Sequence, residues 1–224
     1  LSRSAAFALL LAAATACAAP AARAQSDPKA IAVADQVMAA LGGHDRWDRL
    51  VGLEWTFDVA IRDTVRSSRR HAWNKHTGWH RVSGMNRAGQ PFVIIDQLDT
   101  GKGAAWVNGN RIDGDSLQKL IKLGKSLWTN DSYWFLMPYK MRDPGVTLKY
   151  EGETGESGRM MDKIAMSFDK VGETPGDHYW VSVDRGTHRV AKWEYVLQGD
   201  QPPPQTWAWD DWEEHGGLWF STAR

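Results

Sequence analysis

From Lys29 the segment KAIAVADQVMAALGG sets Ile31, Ala34, Val37, Met38 and Leu41 at helical spacing and stops at Gly42-Gly43, predicting an amphipathic helix with a glycine terminator. The period then shortens to two. Leu53, Trp55, Phe57, Val59 and Ile61 alternate with Glu54, Thr56, Asp58, Ala60 and Arg62, the pattern of a strand with one buried face. Further strands are predicted around residues 69–82, 91–98, 104–108, 146–151, 161–168, 178–184, 188–197, 205–213 and 217–222. The separators are turn formers, among them Arg87-Ala88-Gly89, Asp99-Thr100-Gly101, Asn108-Gly109 and Asp184-Arg185-Gly186. Many short strands joined by tight turns imply antiparallel pairing, and nothing alternates strand with helix as a doubly wound fold does.

One helical interruption breaks the series. In SLQKLIKLGKSLW, Leu117, Leu120, Ile121 and Trp128 fall on one side and Lys119, Lys122 and Lys125 elsewhere. A second short helix or turn, DSYWFLM, is expected to end before Pro138, because proline disfavours helical geometry in the residue it follows. The expected architecture is α+β: an N-terminal helix, a long antiparallel sheet and a central helical insertion, in a single domain over residues 25–224. A sheet of about ten strands rarely stays flat. Curled, its apolar concave face needs a filling, which the helices or a ligand can supply.

Residues 1–24, LSRSAAFALLLAAATACAAPAARA, carry Arg3, an Ala/Leu run and a small-x-small site at Ala22-Arg23-Ala24, and so read as a secretory signal peptide. The apolar run is interrupted by Pro20 and falls short of the roughly 20 residues a bilayer span needs. A soluble periplasmic protein is expected. Cys17 is the one cysteine and lies inside this leader; a lipid anchor on Cys17 is the rival reading, disfavoured because the aliphatic residue usual three positions earlier is absent. The chain starts with Leu1 and stops just after a strand-like run, as a fragment would.

Charge narrows the partners. The chain has 27 basic and 27 acidic residues, and removing Arg3 and Arg23 with the leader leaves a net charge of −2. Such a balance gives no electrostatic reason to bind nucleic acid or an anionic surface. A monomer is expected, with peripheral membrane contact open to it.

Several segments resemble the periplasmic lipoprotein-localisation carriers, the LolA/LolB-like superfamily. HTGWHRV at 76–82 is similar to its second-strand region, where an aromatic residue precedes an arginine, and LDTGKGAAWV at 98–107 to a turn leading into a tryptophan. HYWVSVDRGTHRVAKWEYV at 178–196 is similar to its late hairpin, and residues 207–220 to its closing pair. ALGGHDRWDRL and NDSYWFLMPYKMRDPGV mark a distinct branch. The resemblance implies a half-open β-barrel with helices across its mouth and a hydrophobic cavity for acyl chains, holding a lipid or the acyl chain of a lipoprotein. It makes Arg81 the inward arginine, a latch to helix carbonyls or a headgroup.

Aromatic residues dominate the candidate chemistry, with 13 tryptophans in the chain. Trp55, Phe57, Trp73, Trp79, Trp106, Trp134, Phe135, Trp193, Trp207 and Trp209, together with Arg81, are the expected ligand-lining set; plain core packing is the alternative for each. In QTWAWDDWEEHGGLWFSTAR, alternation puts Trp207 and Trp209 on the concave face and Asp210 in water, and lets Trp212 and Trp219 meet as an outer-face pair. A rival function is carbohydrate binding or hydrolysis by Trp207, Trp209 and Trp212 with Asp210, Asp211, Glu213 and Glu214. A glycosidase needs two carboxyls roughly 5 to 9.5 Å apart across one sugar, and this run is too dense for a tuned pair. A closed structural envelope protein is the third reading.

Read as one strand, 69–82 puts His76 and His80 on one face, on the order of 13 Å apart, with His71 pointing the other way. No HExxH, paired-cysteine or GxSxG motif is present, so no metal, cofactor or enzymatic activity is expected. Arg66, Arg69 and Arg70 in RSSRRH read as a solvated basic run, partly neutralised by Asp58 and Asp63.

Overall fold

The computed structural model describes residues 25–156, 158–168 and 177–224; the expected leader falls outside the described residues. Helix α1 (Pro28–Ala40) begins where Asp27 accepts a hydrogen bond from the Lys29 amide at 2.8 Å, with Pro28 at the first helical position. It buries Ala30, Val33, Ala34, Val37 and Met38. Beyond it Gly42 takes a positive φ of 116° and lies against the Gly217 backbone, where a Cβ would collide. A short helix α2 (His44–Arg49), which the periodicity does not predict, leads into the strands.

Strands β1 (Gly52–Ile61), β2 (Thr64–Asn74), β3 (Trp79–Met85), β4 (Pro91–Gln97), β5 (Lys102–Val107) and β6 (Asn110–Ile112) form a six-stranded antiparallel meander. The expected strand over 69–82 is thus two strands. Asn74 folds the chain back, its side-chain oxygen accepting from the amides of His76 at 3.1 Å and Thr77 at 2.9 Å, and Gly78 supplies the positive φ of 70°.

Helix α3 (Gly114–Lys140) is one continuous element and does not end before Pro138. A proline inside a helix leaves the carbonyl four residues back without its amide partner. Here that carbonyl belongs to Trp134, and Arg224 Nε donates to it at 2.8 Å, which offsets the loss.

Strands β7 (Val146–Glu156), β8 (Arg159–Phe168), β9 (His178–Asp184), β10 (Val190–Val196) and β11 (Gln205–Ala208) follow as a second sheet in the order β11-β10-β9-β8-β7. Strands β12 (Asp210–His215) and β13 (Leu218–Ala223) close the chain as a hairpin. The α+β, antiparallel architecture with a central helix is as the periodicity predicts, with the hydrogen bonding divided among three sheets. The first half of α3 covers the six-stranded sheet, where Ile121 packs with Val82, Phe92, Ile94 and Ala105. Its second half and α1 fill the main core, against Leu148, Ile164, Val181, Trp193, Trp209 and Phe220. No helix among the described residues is long and apolar enough to cross a membrane.

Candidate functional site

Strand parity decides which predicted residues face α3. In the six-stranded sheet Trp55 pairs with His71, His71 with Val82, and Val82 with Ile94. Leu53, Trp73, His80 and Asp96 form the neighbouring row on the same face. Trp55 is 8% exposed and stacks on Phe135 of α3 at 5.5 Å, Trp73 meets Trp128 of α3 at 5.5 Å, and Phe57 lies under Arg69. Of the predicted residues, Trp55, Phe57 and Trp73 thus share the covered face by strand parity, and Phe135 meets Trp55 there from α3.

Trp79, Arg81 and Trp106 do not. Arg81 pairs with Ala72 and Ile95, and Trp106 with Val93 and Arg111, one step out of phase with His71 and His80. They lie on the outer face, where Trp79 is 45% exposed and borders, with Arg81, Glu54 and Ile95, a shallow depression of about 490 Å³. Arg81 Nη1 donates to Ser83 Oγ at 2.9 Å and touches no helix carbonyl, so the inward arginine expected there is not Arg81.

The arginine that faces α3 is Arg69, expected from the sequence to be solvated. Its Nε and Nη2 donate to Asp131 of α3 at 2.6 and 3.0 Å, a bidentate pair whose carboxylate is fully buried. Asp131 Oδ2 also takes His71 Nε2 at 2.9 Å; His71 Nδ1 lies 2.9 Å from His80 Nε2; His80 Nδ1 lies 2.9 Å from Asp96 Oδ1. All four of these titratable side chains are within 1% of complete burial. The expectation that His71 points away from His80 fails because the turn at Asn74–Gly78 returns the chain, so the two imidazoles sit on adjacent strands and face each other. An Asn-x-x-x-Gly spacing inside an apparent strand was the available signal.

Three contacts link the two imidazoles to each other and to two carboxyl groups, and each needs one proton on one of its two partner atoms. Burial pulls the His71 pKa below the ordinary histidine value, with the hydrogen bond and charge of Asp131 opposing only part of it. That assigns neutral His71, donating Nε2–H to Asp131 and accepting at Nδ1 from His80 Nε2–H. Burial alone would raise the Asp131 pKa, but the hydrogen bonds from His71, Arg69 and Asn130 and the Arg69 charge hold it below the ordinary carboxylate value. The charge of Asp131 then pairs with that of Arg69.

The helix can approach this row because it presents Gly124, where a Cβ would stand 2.8 Å from Ile94 Cγ2 and 3.1 Å from Asp96 Oδ1. Trp55 lies flat on His71 at 4.7 Å and 7°. Among the described residues no group of His, Cys, Asp and Glu has a geometry that could hold a metal ion. What the network does is clamp the middle of α3 to the six-stranded sheet.

On its other side α3 packs toward the second sheet through apolar side chains, aromatic rings prominent among them. Trp134 contacts Trp193 at 4.4 Å, Trp207 at 5.4 Å and Tyr195 at 5.9 Å, and Trp193 contacts Trp209 at 6.1 Å. Four predicted residues, Trp134, Trp193, Trp207 and Trp209, therefore form one cluster. Trp209 is 1% exposed, as expected for a concave-face residue. Trp207, on edge strand β11, remains 38% exposed, because no strand lies beyond it in that sheet. Trp212 and Trp219 do not stack; Arg189 lies between them, 3.8 Å from the Trp219 ring and 5.8 Å from the Trp212 ring. Asp210, Asp211, Glu213 and Glu214 are exposed.

The first helix, the early strands, the central helix and the late strands succeed one another as the sequence resemblance implies. No protein-family description and no curated protein matches the sequence. Among solved structures it is similar to a DUF1329 family protein from Desulfovibrio piger, with 15% identity and a TM-score of 0.46 over 88% of this chain and 85% of that one. It is similar to an outer membrane lipoprotein-sorting protein domain from Vibrio parahaemolyticus, with 10% identity and a TM-score of 0.43 over 86% and 81%. The lipoprotein LppX of Mycobacterium tuberculosis is similar at 15% identity and a TM-score of 0.33 over 78% and 91%.

Proposed function

We propose that this LolA/LolB-like chain, over residues 25–224, is a periplasmic carrier of an apolar ligand, a lipid or an acyl chain such as that of a lipoprotein. The ligand lodges between α3 and the second sheet. The observation that carries the reading is the contrast between the two sides of α3. Its six-stranded side is fixed by charged hydrogen bonds, whereas its second-sheet side rests on the Trp134, Trp193, Trp207 and Trp209 cluster, with Trp207 open at the edge. Apolar burial is non-directional, so these side chains can exchange contacts with one another for contacts with an acyl chain; a buried ion network cannot.

The cluster also carries polar atoms that its closed form leaves without partners among the described residues: Tyr133 Oη, Trp193 Nε1 and Trp209 Nε1 are buried and unbonded. Each costs about 1 to 3 kcal/mol, a burden that a packed core normally avoids. Each methylene transferred from water into the seam contributes about 0.8 kcal/mol, so a tail of several carbons offsets the parting of α3 from the sheet. Binding and release need no covalent step.

Titrating the purified protein with oleoyl chains while following tryptophan emission tests the reading. A saturable shift is expected, and Trp134→Ala should weaken it about tenfold or more by removing the ring that touches three others. An emission spectrum indifferent to fatty acids and phospholipids but altered by a soluble oligosaccharide would instead support the carbohydrate reading.

A further inference from the structure

The outer face of the six-stranded sheet carries a depression that the acyl-chain seam does not use. Two cross-strand rows run through it. Glu54, Ala72, Arg81 and Ile95 are successive neighbours in one, and in the next Gly52 pairs with Asn74 and Trp79 with Gln97. Gly52 and Ala72 leave the floor low, while Glu54, Trp79, Arg81 and Ile95 stand around it and bound a space of about 490 Å³. At a strand spacing of about 4.8 Å, the carboxylate wall and the guanidinium wall rise from backbone positions roughly 10 Å apart, with only the Ala72 methyl between them.

The walls differ in chemistry. Trp79, 45% exposed, offers the depression an indole surface. Arg81 commits Nη1 to Ser83 Oγ at 2.9 Å. The carboxylate in its row does not neutralise it, because Glu54 Oε2 takes Arg70 Nη2 at 2.8 Å. A cation, an acceptor on the opposite wall and an apolar surface beside both therefore face one space. The depression is shallow, so a ligand seated in it keeps one side in water. That argues against an acyl chain, whose binding rests on leaving water altogether. It suits a ring with one apolar side and a hydroxylated rim, and the guanidinium adds the requirement of an acid group.

We propose that this depression is a saccharide site, selective for a pyranose that bears a carboxylate or a phosphate. The acid group meets Arg81, the apolar side of the ring lies on Trp79, and hydroxyls donate to Glu54. The site shares no residue with the cluster of Trp134, Trp193, Trp207 and Trp209, so it stands apart from the carrier reading and does not depend on it.

Glucose, glucuronate and glucose 6-phosphate share one ring and differ in the acid group, and benzoate carries a carboxylate on an aromatic ring. Each is titrated into the full chain at low salt while NMR follows the indole Nε1–H resonance of Trp79, assigned by its loss in Trp79→Phe. At least one acidic sugar should move that resonance saturably with a Kd on the order of 1 mM, the scale for one small ring and one charge in an open site. It should bind about threefold or more tighter than glucose, as a solvent-exposed ion pair allows. The tighter acid identifies the group that Arg81 takes. Arg81→Gln, which keeps a donor but no charge, should reduce that sugar to the affinity of glucose, and the unmoved resonances of the other indoles check that the variant folds. Glucose binding as tightly as both acids, or an acid preference that survives Arg81→Gln, overturns the selection by charge. Benzoate binding more tightly than every sugar overturns the saccharide, and a Trp79 resonance unmoved by all four probes at about 20 mM overturns the site.

Discussion

Replacing Asp131 by alanine puts the clamp on α3 to its severest test. Asp131 is fully buried and receives Arg69 through two bonds, His71 through one and Asn130 through one. Without it the guanidinium of Arg69, about 15% exposed, keeps its charge but loses its carboxylate, and the His71 Nε2–H faces a void. Breaking a buried pair from one side costs about 3 to 5 kcal/mol; the partial exposure of Arg69 places the loss nearer 3. Most of that is the penalty of stranding Arg69, so Arg69→Ala together with Asp131→Ala should cost clearly less than the sum of the singles. Urea unfolding of the four proteins of this cycle at pH 7.5 measures both quantities.

The same network sets a pH dependence. His71 and Asp131 both have folded pKa values below their ordinary ones, 6.5 and 3.8, so the unfolded chain takes up protons first as the pH falls. Their stabilisation is complete above 6.5, declines as the pH falls toward the folded value of His71, and declines again below 3.8. His71→Gln should flatten the first decline. A loss of under about 1 kcal/mol in Asp131→Ala, or additive singles, would show that the pairing is not what holds α3, and the reasoning would fail.

Three further substitutions probe the packing. Trp209→Ala should lower stability by about 3 to 5 kcal/mol in urea unfolding, since the ring is buried between Trp193, Trp212 and Arg224; a change under about 1 kcal/mol would place that ring outside the core. Gly124→Ala should cost about 1 to 3 kcal/mol and lower the thermal midpoint, because the added methyl meets Ile94 and Asp96 in a row that cannot shift freely. Arg81→Ala should fall within about 0.5 kcal/mol of the parent and leave acyl-chain binding unchanged, as befits an outer-face residue bonded to one serine; lost binding would restore the latch to Arg81.

Period and turn chemistry are local, and the sequence by itself determined what depends on them: the helix from Pro28 to Ala40, the strand Gly52–Ile61, the antiparallel order and the burial of Trp209. The one buried face expected of Leu53, Trp55, Phe57, Val59 and Ile61 does not run the length of that strand, because the register shifts between Val59 and Ala60 and leaves Val59 and Ile61 exposed. Alternation divides a strand into two faces without saying which one a helix will cover. Hence Trp55 and Trp73 meet α3 while Trp79, Arg81 and Trp106, equally aromatic or charged, face outward. A hidden turn at Asn74–Gly78 reverses the parity between His71 and His80, so two histidines that seem opposed share a proton. The partners of greatest consequence are the most distant in sequence. Asp131 neutralises Arg69 across 62 residues, and Arg224 caps the carbonyl that Pro138 frees on Trp134 across 90, which lets α3 run on where local rules end it. Such pairings depend on how sheets and helix stack in space, and only the tertiary structure decides them.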